Sequence, residues 1–201
     1  PRHASILVRE LGLDTAGTKL TAPGLKEKPD ALDIEDVALP VDQRTWYRSM
    51  CMRMAYLSQD RPDLGVAVRE LAKGMQNPCE RHLALLKHAV RYIKGKRRVV
   101  QHFYNQEAAT ILEGWCDADH AGCLRTRKST SGGAIMAGRH CLAHWCRGQS
   151  VIALSSGEAE YYSLVTLMSE LIGLQSLAAD WNLQYKLGAN VDATAAIGMI
   201  S

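Results

Sequence analysis

The stretch ILEGWCDADHAGC, residues 111–123, decides how this chain is read. It opens on an apolar, β-prone run, residues 111–116, and arrives at Asp117, with Asp119 two positions on. Short β-prone runs bounded by turn residues read as strands, so Asp117 is expected at a strand end. Asp192 has the same placing after the strand candidate 187–191, and Glu160 falls in the first turn of a long helical stretch, 158–181. Strand ends and helix starts are where α/β folds set their chemistry. Carboxylates gathered there repel one another unless a cation lies between them. Mg²⁺ suits a few carboxylates completed by water and phosphate oxygens. Two such ions, about 4 Å apart, can activate water and stabilise a leaving oxygen. The same acids have an ordinary reading as caps and dipole partners. Asp119 and Glu158 are rivals on those terms, one as a turn cap and the other as a solvated first-turn acid.

Working outward, residues 131–136 and 141–147 read as two strands around the turn 137–139, and 99–104 as a strand before them. Residues 151–154 extend the sheet. In the stretch 158–181, Tyr161, Leu164, Val165, Met168, Leu171 and Ile172 repeat at helical spacing, and a further helix starts at Ala193. Strands, helix, strand, helix is the order of a mixed α/β domain. Upstream the period is helical. Residues 2–13 form a short amphipathic helix, with Ala4, Leu7, Val8 and Leu11 on one face. Residues 14–42, with Pro23, Pro29 and Pro40, form a linker or surface loop. Three helices then fill 43–94: Tyr47, Met50, Cys51, Met54 and Leu57 face inward on the first, and Leu64, Ala67, Val68 and Leu71 on the second. Leu83, Leu86, Val90 and Ile93 do so on the third. Pro62 opens the second helix and Asn77-Pro78 ends it. The division expected is a helical region, 1–98, and an α/β domain, 99–201.

Composition narrows the classes. A hydrophobic share of 47% and a charged share of 22% over 201 residues are those of a globular chain. No apolar run approaches the roughly 20 residues of a membrane-spanning helix, and no secretory signal opens the chain. The absence of an initial Met suggests a fragment of a longer protein. The six cysteines form no CxxC pair and read as reduced thiols of an intracellular protein. Residues 1–100 hold 18 Lys/Arg against 12 Asp/Glu, and residues 101–201 hold 6 against 9. A basic half beside an acidic half suits a grip on a polyanion beside a metal site.

Two basic patches carry that reading. Lys94, Lys96, Arg97 and Arg98 are dense enough to meet phosphates, against the plainer role of a solvated helix face. Arg125, Arg127, Lys128, Ser129, Thr130 and Ser131 offer cations and hydroxyls to a backbone, against a plain surface hairpin. Cys116, His120, Cys123, His140, Cys141, His144 and Cys146 match no standard zinc spacing and read better as ordinary packing residues. Trp115, Trp145 and Trp181 lie in apolar segments and are expected in the core rather than stacked on bases.

Four ordered motifs carry a resemblance. WCDADHAGC at 115–123, RKSTSGG at 127–133, ALSSGEAEY at 153–161 and VDATAA at 191–196 resemble the DADWAG, RKSTSG, ALSSTEAEY and CDNQSA elements of copia-type retrotransposon Pol polyproteins. The carboxylate spacings, 43 and then 32 residues, fit as well. Upstream, YRS at 47–49, YL at 56–57, RPDL at 61–64 and AVRYIKG at 89–95 are similar to the C-terminal part of the family's reverse transcriptase. The resemblance implies an RNase H-like mixed sheet with flanking helices, preceded by a small helical thumb- or connection-like region of the reverse transcriptase. It implies Asp117, Glu160 and Asp192 as catalytic residues and ligands of two Mg²⁺ ions, with Mn²⁺ as a substitute. The reaction implied is hydrolysis of the RNA strand of an RNA–DNA hybrid, the 2′-hydroxyl separating RNA from DNA. The partners implied are the hybrid and the remainder of the Pol polyprotein, with no membrane and no small-molecule cofactor. The location implied is the cytoplasm, in a virus-like particle, with the nucleus as a second. The chain departs from the family in having His120 where Trp is common and Ala193-Thr194 for Asn-Gln. It lacks a Tyr-x-Asp-Asp polymerase motif, and family members continue beyond position 201 to a further His or acid. Two other readings therefore stay open: a fragment that binds nucleic acid without cutting it, and a decayed copy of the element.

Overall fold

The computed structural model describes residues 2–14, 20–24 and 36–192, and the chain divides into two compact units, residues 1–100 and 101–201. In the first unit α1 (Arg2–Glu10) and α2 (Val41–Ser58) precede a 3-10 turn (Pro62–Leu64), which runs into α3 (Gly65–Lys73) and then α4 (Glu80–Gly95). Their apolar stripes meet in one core, in which Leu7, Val8, Tyr47, Met54, Leu64, Leu71, Leu86 and Ile93 are buried. Helical spacing alone selects those faces, and most of the expected inward residues are there. α3 stops at Lys73 with Gly74 as its cap, before Asn77-Pro78 is reached.

The second unit is a four-stranded sheet and one long helix. β1 (Ile111–Asp119), β2 (Thr130–Ala137) and β3 (His140–Gly148) form an antiparallel meander, α5 (Ser156–Asp180) follows, and β4 (Lys186–Asn190) pairs parallel with β1. The order is β3-β2-β1-β4. A parallel neighbour needs a long crossover, which α5 supplies. The sheet's inner face carries Leu112, Cys116, Ile135 and Ala137, packed on Leu164, Leu167 and Leu171 of α5. Gly114 lies under this contact: a Cβ there would stand 2.4 Å from Leu167 Cδ1, so only glycine lets the helix come this close to the central strand. The arrangement is the mixed α/β, RNase H-like class.

Several expectations are corrected. Residues 99–104 form no strand, and Val99, Val100, Phe103 and Tyr104 are exposed. β propensity is realised only against neighbouring strands. Here the segment is held instead by the Phe103 ring edge-on to His140 and by the Tyr104 carbonyl 2.8 Å from His140 Nε2. Residues 151–154 do not extend the sheet. On α5, Tyr161, Val165 and Ile172 turn outward while Leu167 is fully buried. The helix is apolar on both stripes, so the spacing did not single out the face that the sheet takes. Trp115 and Trp181 are exposed rather than in the core, and Trp145 is half-buried. The helix expected from Ala193 and most of the linker 14–42 lie outside the described residues. Among those described, no helix is long and apolar enough to cross a membrane.

Candidate metal centre

β1 and β4 run parallel with Trp115 beside Asn190. Two residues further along each strand direction stand Asp117 and Asp192, both exposed. Glu160 approaches from α5. Its helix starts at Ser155, whose extended backbone and Oγ cap the helix by accepting from the Glu158 amide at 3.1 Å. Glu160 is then the fifth helical residue, just past the first turn in which it was expected, and only 6% exposed. Two bonds pin this turn to the end of β1: the Ala118 amide donates to Glu160 Oε1 at 3.0 Å, and Ser163 Oγ donates to the Asp117 carbonyl at 3.0 Å.

The three side chains converge, with one carboxylate oxygen from each lying within 4.8 Å of the others. Glu160 Oε2 is buried and has no hydrogen-bond partner. Burial raises the Glu160 carboxyl above the usual carboxylate range; the Ala118 amide opposes this, and the charges of Asp117 and Asp192, together with a close carboxyl–carboxyl contact to Asp117, add to it. Cys116, beneath the cluster, is likewise raised by burial, with the three carboxylates adding. A buried acceptor without a donor, beside two like charges, costs free energy until a cation joins it. All the donors are hard oxygens at one corner, which fits Mg²⁺ or Mn²⁺ and leaves room for water and phosphate.

The rival acids are committed elsewhere. Asp119 accepts from the Thr130 amide and, at 3.0 Å, from Thr130 Oγ1, closing the turn between β1 and β2. Glu158 accepts from the Leu154 amide at 2.7 Å and from the Tyr162 hydroxyl at 3.2 Å, as a first-turn acid does. Among the described residues the trio is the one group of three such side chains that converges, so Cys116, His120, Cys123, His140, Cys141, His144 and Cys146 supply no second centre. Ser163 was missed by sequence reasoning, though its place one turn after Glu160 was a usable signal.

The basic patches divide. Arg125 and Arg127 are exposed on the loop that leaves β1, with Lys128 half-buried. Bonds from the Arg127 amide to Cys123 (2.7 Å) and from the Cys123 amide to Lys128 (3.1 Å) make the loop compact. Ser129 and Ser131 are buried, which corrects the expectation that they face a ligand: Ser129 Oγ accepts from the Ala121 amide, and Ser131 Oγ from Gln149 Nε2, each at 3.0 Å. The Thr130 hydroxyl is taken by Asp119. Alternation along β2 turns every second side chain inward. In the helical unit Lys96, Arg97 and Arg98 are exposed and Lys94 is half-buried. Lys96 Nζ sits 5.5 Å from the Tyr92 ring centroid.

An RNase H-like sheet with an oxygen-only, three-carboxylate corner defines the class. Comparison with known proteins gives the particular family. The chain is 32% identical over 142 residues to the retrovirus-related Pol polyprotein from transposon RE1 of Arabidopsis thaliana, covering 70% of this chain and 10% of that protein. It is 32% identical over 127 residues to the uncharacterized mitochondrial protein AtMg00810 of the same plant, covering 62% and 52%. It is also 34% identical over 114 residues to secreted RxLR effector protein 161 of Plasmopara viticola, covering 57% and 80%. Its homologues are retrovirus-related Pol polyproteins of copia-type transposons, matched at about 30% identity over up to 70% of this chain. It spans about half of AtMg00810 and a tenth of the RE1 polyprotein. No family model and no solved structure matches it.

Proposed function

We propose that the α/β unit is a metal-dependent ribonuclease H that hydrolyses the RNA strand of RNA–DNA hybrids as part of a Pol polyprotein. The observation that carries this reading is the Glu160 carboxylate: buried, held by one amide, with its other oxygen lacking a donor, and converging with Asp117 and Asp192. Asp117, Glu160 and Asp192 would hold Mg²⁺, or Mn²⁺ in its place. A bound cation pair would supply water activation and stabilisation of the leaving oxygen. The chain's own part is geometric and electrostatic. Glu160 is fixed by the Ala118 amide, while Asp117 and Asp192 stay open to a substrate on the solvent side. Arg125, Arg127 and Lys128, on the compact loop leaving β1, would meet backbone phosphates and set the duplex in register. Contacts across the minor groove to 2′-hydroxyls would select the RNA strand.

The test is cleavage of a labelled RNA–DNA hybrid with and without Mg²⁺. We expect cutting of the RNA strand alone, abolished by chelation and reduced more than about 100-fold by Asp117→Asn, a larger loss than substitutions outside the direct ligands give. A chain that binds hybrid but never cuts it, at any Mg²⁺ or Mn²⁺ concentration, overturns the reading in favour of a non-catalytic binding fragment.

A further inference from the structure

We propose that Gln149, an uncharged residue outside the carboxylate trio, is a positioning residue of the metal centre: its side chain is a strut that holds the α5 backbone beside Glu160. The inference rests on the reading of that corner as a divalent-ion site. Gln149 directly follows β3, and its backbone amide donates to the Ser129 carbonyl at 2.8 Å. That bond carries the β2–β3 ladder one pair beyond the strands, since Thr130 is already opposite Gly148. The backbone is therefore fixed where the side chain departs.

From there the side chain crosses from the sheet to the helix. Gln149 Nε2 donates to Ser131 Oγ on β2 at 3.0 Å and to the Ala159 carbonyl on α5 at 2.8 Å. Ala159 immediately precedes Glu160 and is fully buried. Ser131 is buried as well, and is the cross-strand partner of Ala118. The Ala118 amide is the group that holds Glu160 Oε1. These contacts close a ring, from Gln149 to Ser131, Ala118, Glu160, Ala159 and back. It joins the end of β1, the start of β2, the residue after β3 and the opening of α5. Glu160 is held at two points of this ring, by its own carboxylate and by the peptide before it.

The orientation of the Gln149 amide follows from its acceptor. A carbonyl only accepts, so turning the amide over would set two oxygens against each other at Ala159. In the orientation that makes both bonds, Gln149 Oε1 is buried and has no donor. An orphaned acceptor costs free energy. A well-packed apolar side chain would avoid that cost, so stability alone does not account for a glutamine here. What the two bonds supply is geometry: they set where Glu160 stands relative to Asp117 and Asp192. Mg²⁺ tolerates little departure from an octahedron, whereas Ca²⁺ accepts flexible cages. Groups that orient ligands without touching the ion change affinity about 10- to 100-fold when lost.

The test titrates the full chain with Mg²⁺ and with Ca²⁺ by calorimetry, and follows hydrogen exchange of the Ala118 amide in chelator. Gln149→Met keeps the bulk and removes both bonds. It should weaken Mg²⁺ binding about 10-fold and Ca²⁺ binding less than about 3-fold, and speed Ala118 exchange in the ion-free protein. A general loss of stability would weaken both ions alike. Gln149→Glu keeps the shape but sets a carboxylate against the Ala159 carbonyl. It should also weaken Mg²⁺ binding, whereas a residue acting through charge alone would strengthen it. A Met variant with parental Mg²⁺ affinity, equal losses for the two ions, or a Glu variant tighter than the parent overturns the proposal. If Gln149→Met does not fold, Ser131→Ala opens the same ring and should show the selective Mg²⁺ loss at smaller amplitude; no loss, or an equal one, overturns the proposal there. A parent that binds neither ion removes the metal centre and this strut together. A parent that binds both, with variants that match it, removes the strut alone.

Discussion

Each unit holds a carboxylate in a cluster with a buried charged side chain, Asp63 with the buried Arg61 and the buried Glu160 with Asp117 and Asp192, and the two clusters are treated in opposite ways. In the helical unit Asp63 accepts two bonds from Arg61 and one, at 2.7 Å, from the Tyr92 hydroxyl. Burial pushes its carboxyl up, but the Arg61 and Tyr92 bonds and the guanidinium charge outweigh that and hold it below the usual carboxylate range. In the α/β unit Glu160 has one amide, two acidic neighbours and an orphaned oxygen, and stays raised. A buried charge that is answered by its own chain, as Arg61 is by Asp63, is architecture. A buried charge left unanswered is a place where something else is meant to bind. The contrast separates the Arg61–Asp63–Tyr92 cluster, with its close ion pair, from the trio whose charges the chain does not itself answer and to which the proposed chemistry is assigned.

That contrast can be broken in four ways, from the largest effect down. Asp63→Ala leaves Arg61 buried and uncompensated, and should cost the helical unit about 3 kcal/mol, read by hydrogen exchange resolved to α3 and α4. If the loss is within experimental error, the cluster is not structural. Gly114→Ala forces a methyl onto Leu167 and should cost the α/β unit about 1–3 kcal/mol. It should also move α5 from β1 and weaken divalent-ion binding; an unchanged ion affinity, measured by calorimetry, would show that the helix–strand spacing does not set the site. Glu160→Gln should stabilise the α/β unit at neutral pH without divalent ions, and abolish the rise in melting temperature that Mg²⁺ gives the parent. A variant stabilised by Mg²⁺ as much as the parent is would remove Glu160 from the centre.

The smallest effect is in pH, where the two carboxylates should pull in opposite directions without divalent ions. Asp63 has a lowered folded-state pKa, so its stabilisation is present above the ordinary carboxylate value and is lost as pH falls through the lowered one. Glu160 has a raised folded-state pKa. Its protonated form is the better accommodated, so stability is greatest below the ordinary value and falls as pH rises through the raised one. Acidification from neutral pH should therefore weaken the protection of α4 while strengthening that of the β1–α5 contact. Two units that respond in the same direction would refute the contrast.

Much of this was legible in the residues. The helical unit follows from stripes such as Tyr47, Met50, Cys51 and Met54, because a helix exposes its period directly. The three carboxylates could be picked out because strand ends and helix starts are local features, although α5 begins at Ser156, capped by Ser155, and not at 158. The failures were of another kind. Residues 99–104 have β-prone composition but no strand beside them. Ser129 and Ser131 look like ligand-facing hydroxyls until β2 is paired and its alternate side chains turn in. Tyr161 and Leu167 are both apolar, and nothing on α5 itself says which meets the sheet.

The sequence by itself determined the helices, the strands of the meander, the family, and which three carboxylates to watch, since these rest on periodicity and on motif order along the chain. Tertiary structure alone decided that Asp117 and Asp192 lie side by side, that one Glu160 oxygen is left without a partner, and that Gln149 reaches from the end of β3 to the Ala159 carbonyl. The physical reason is that strand register, burial and charge juxtaposition are properties of pairs remote in sequence. They come into being only when α5 closes over β1 and Gln149 ties it to the end of β3.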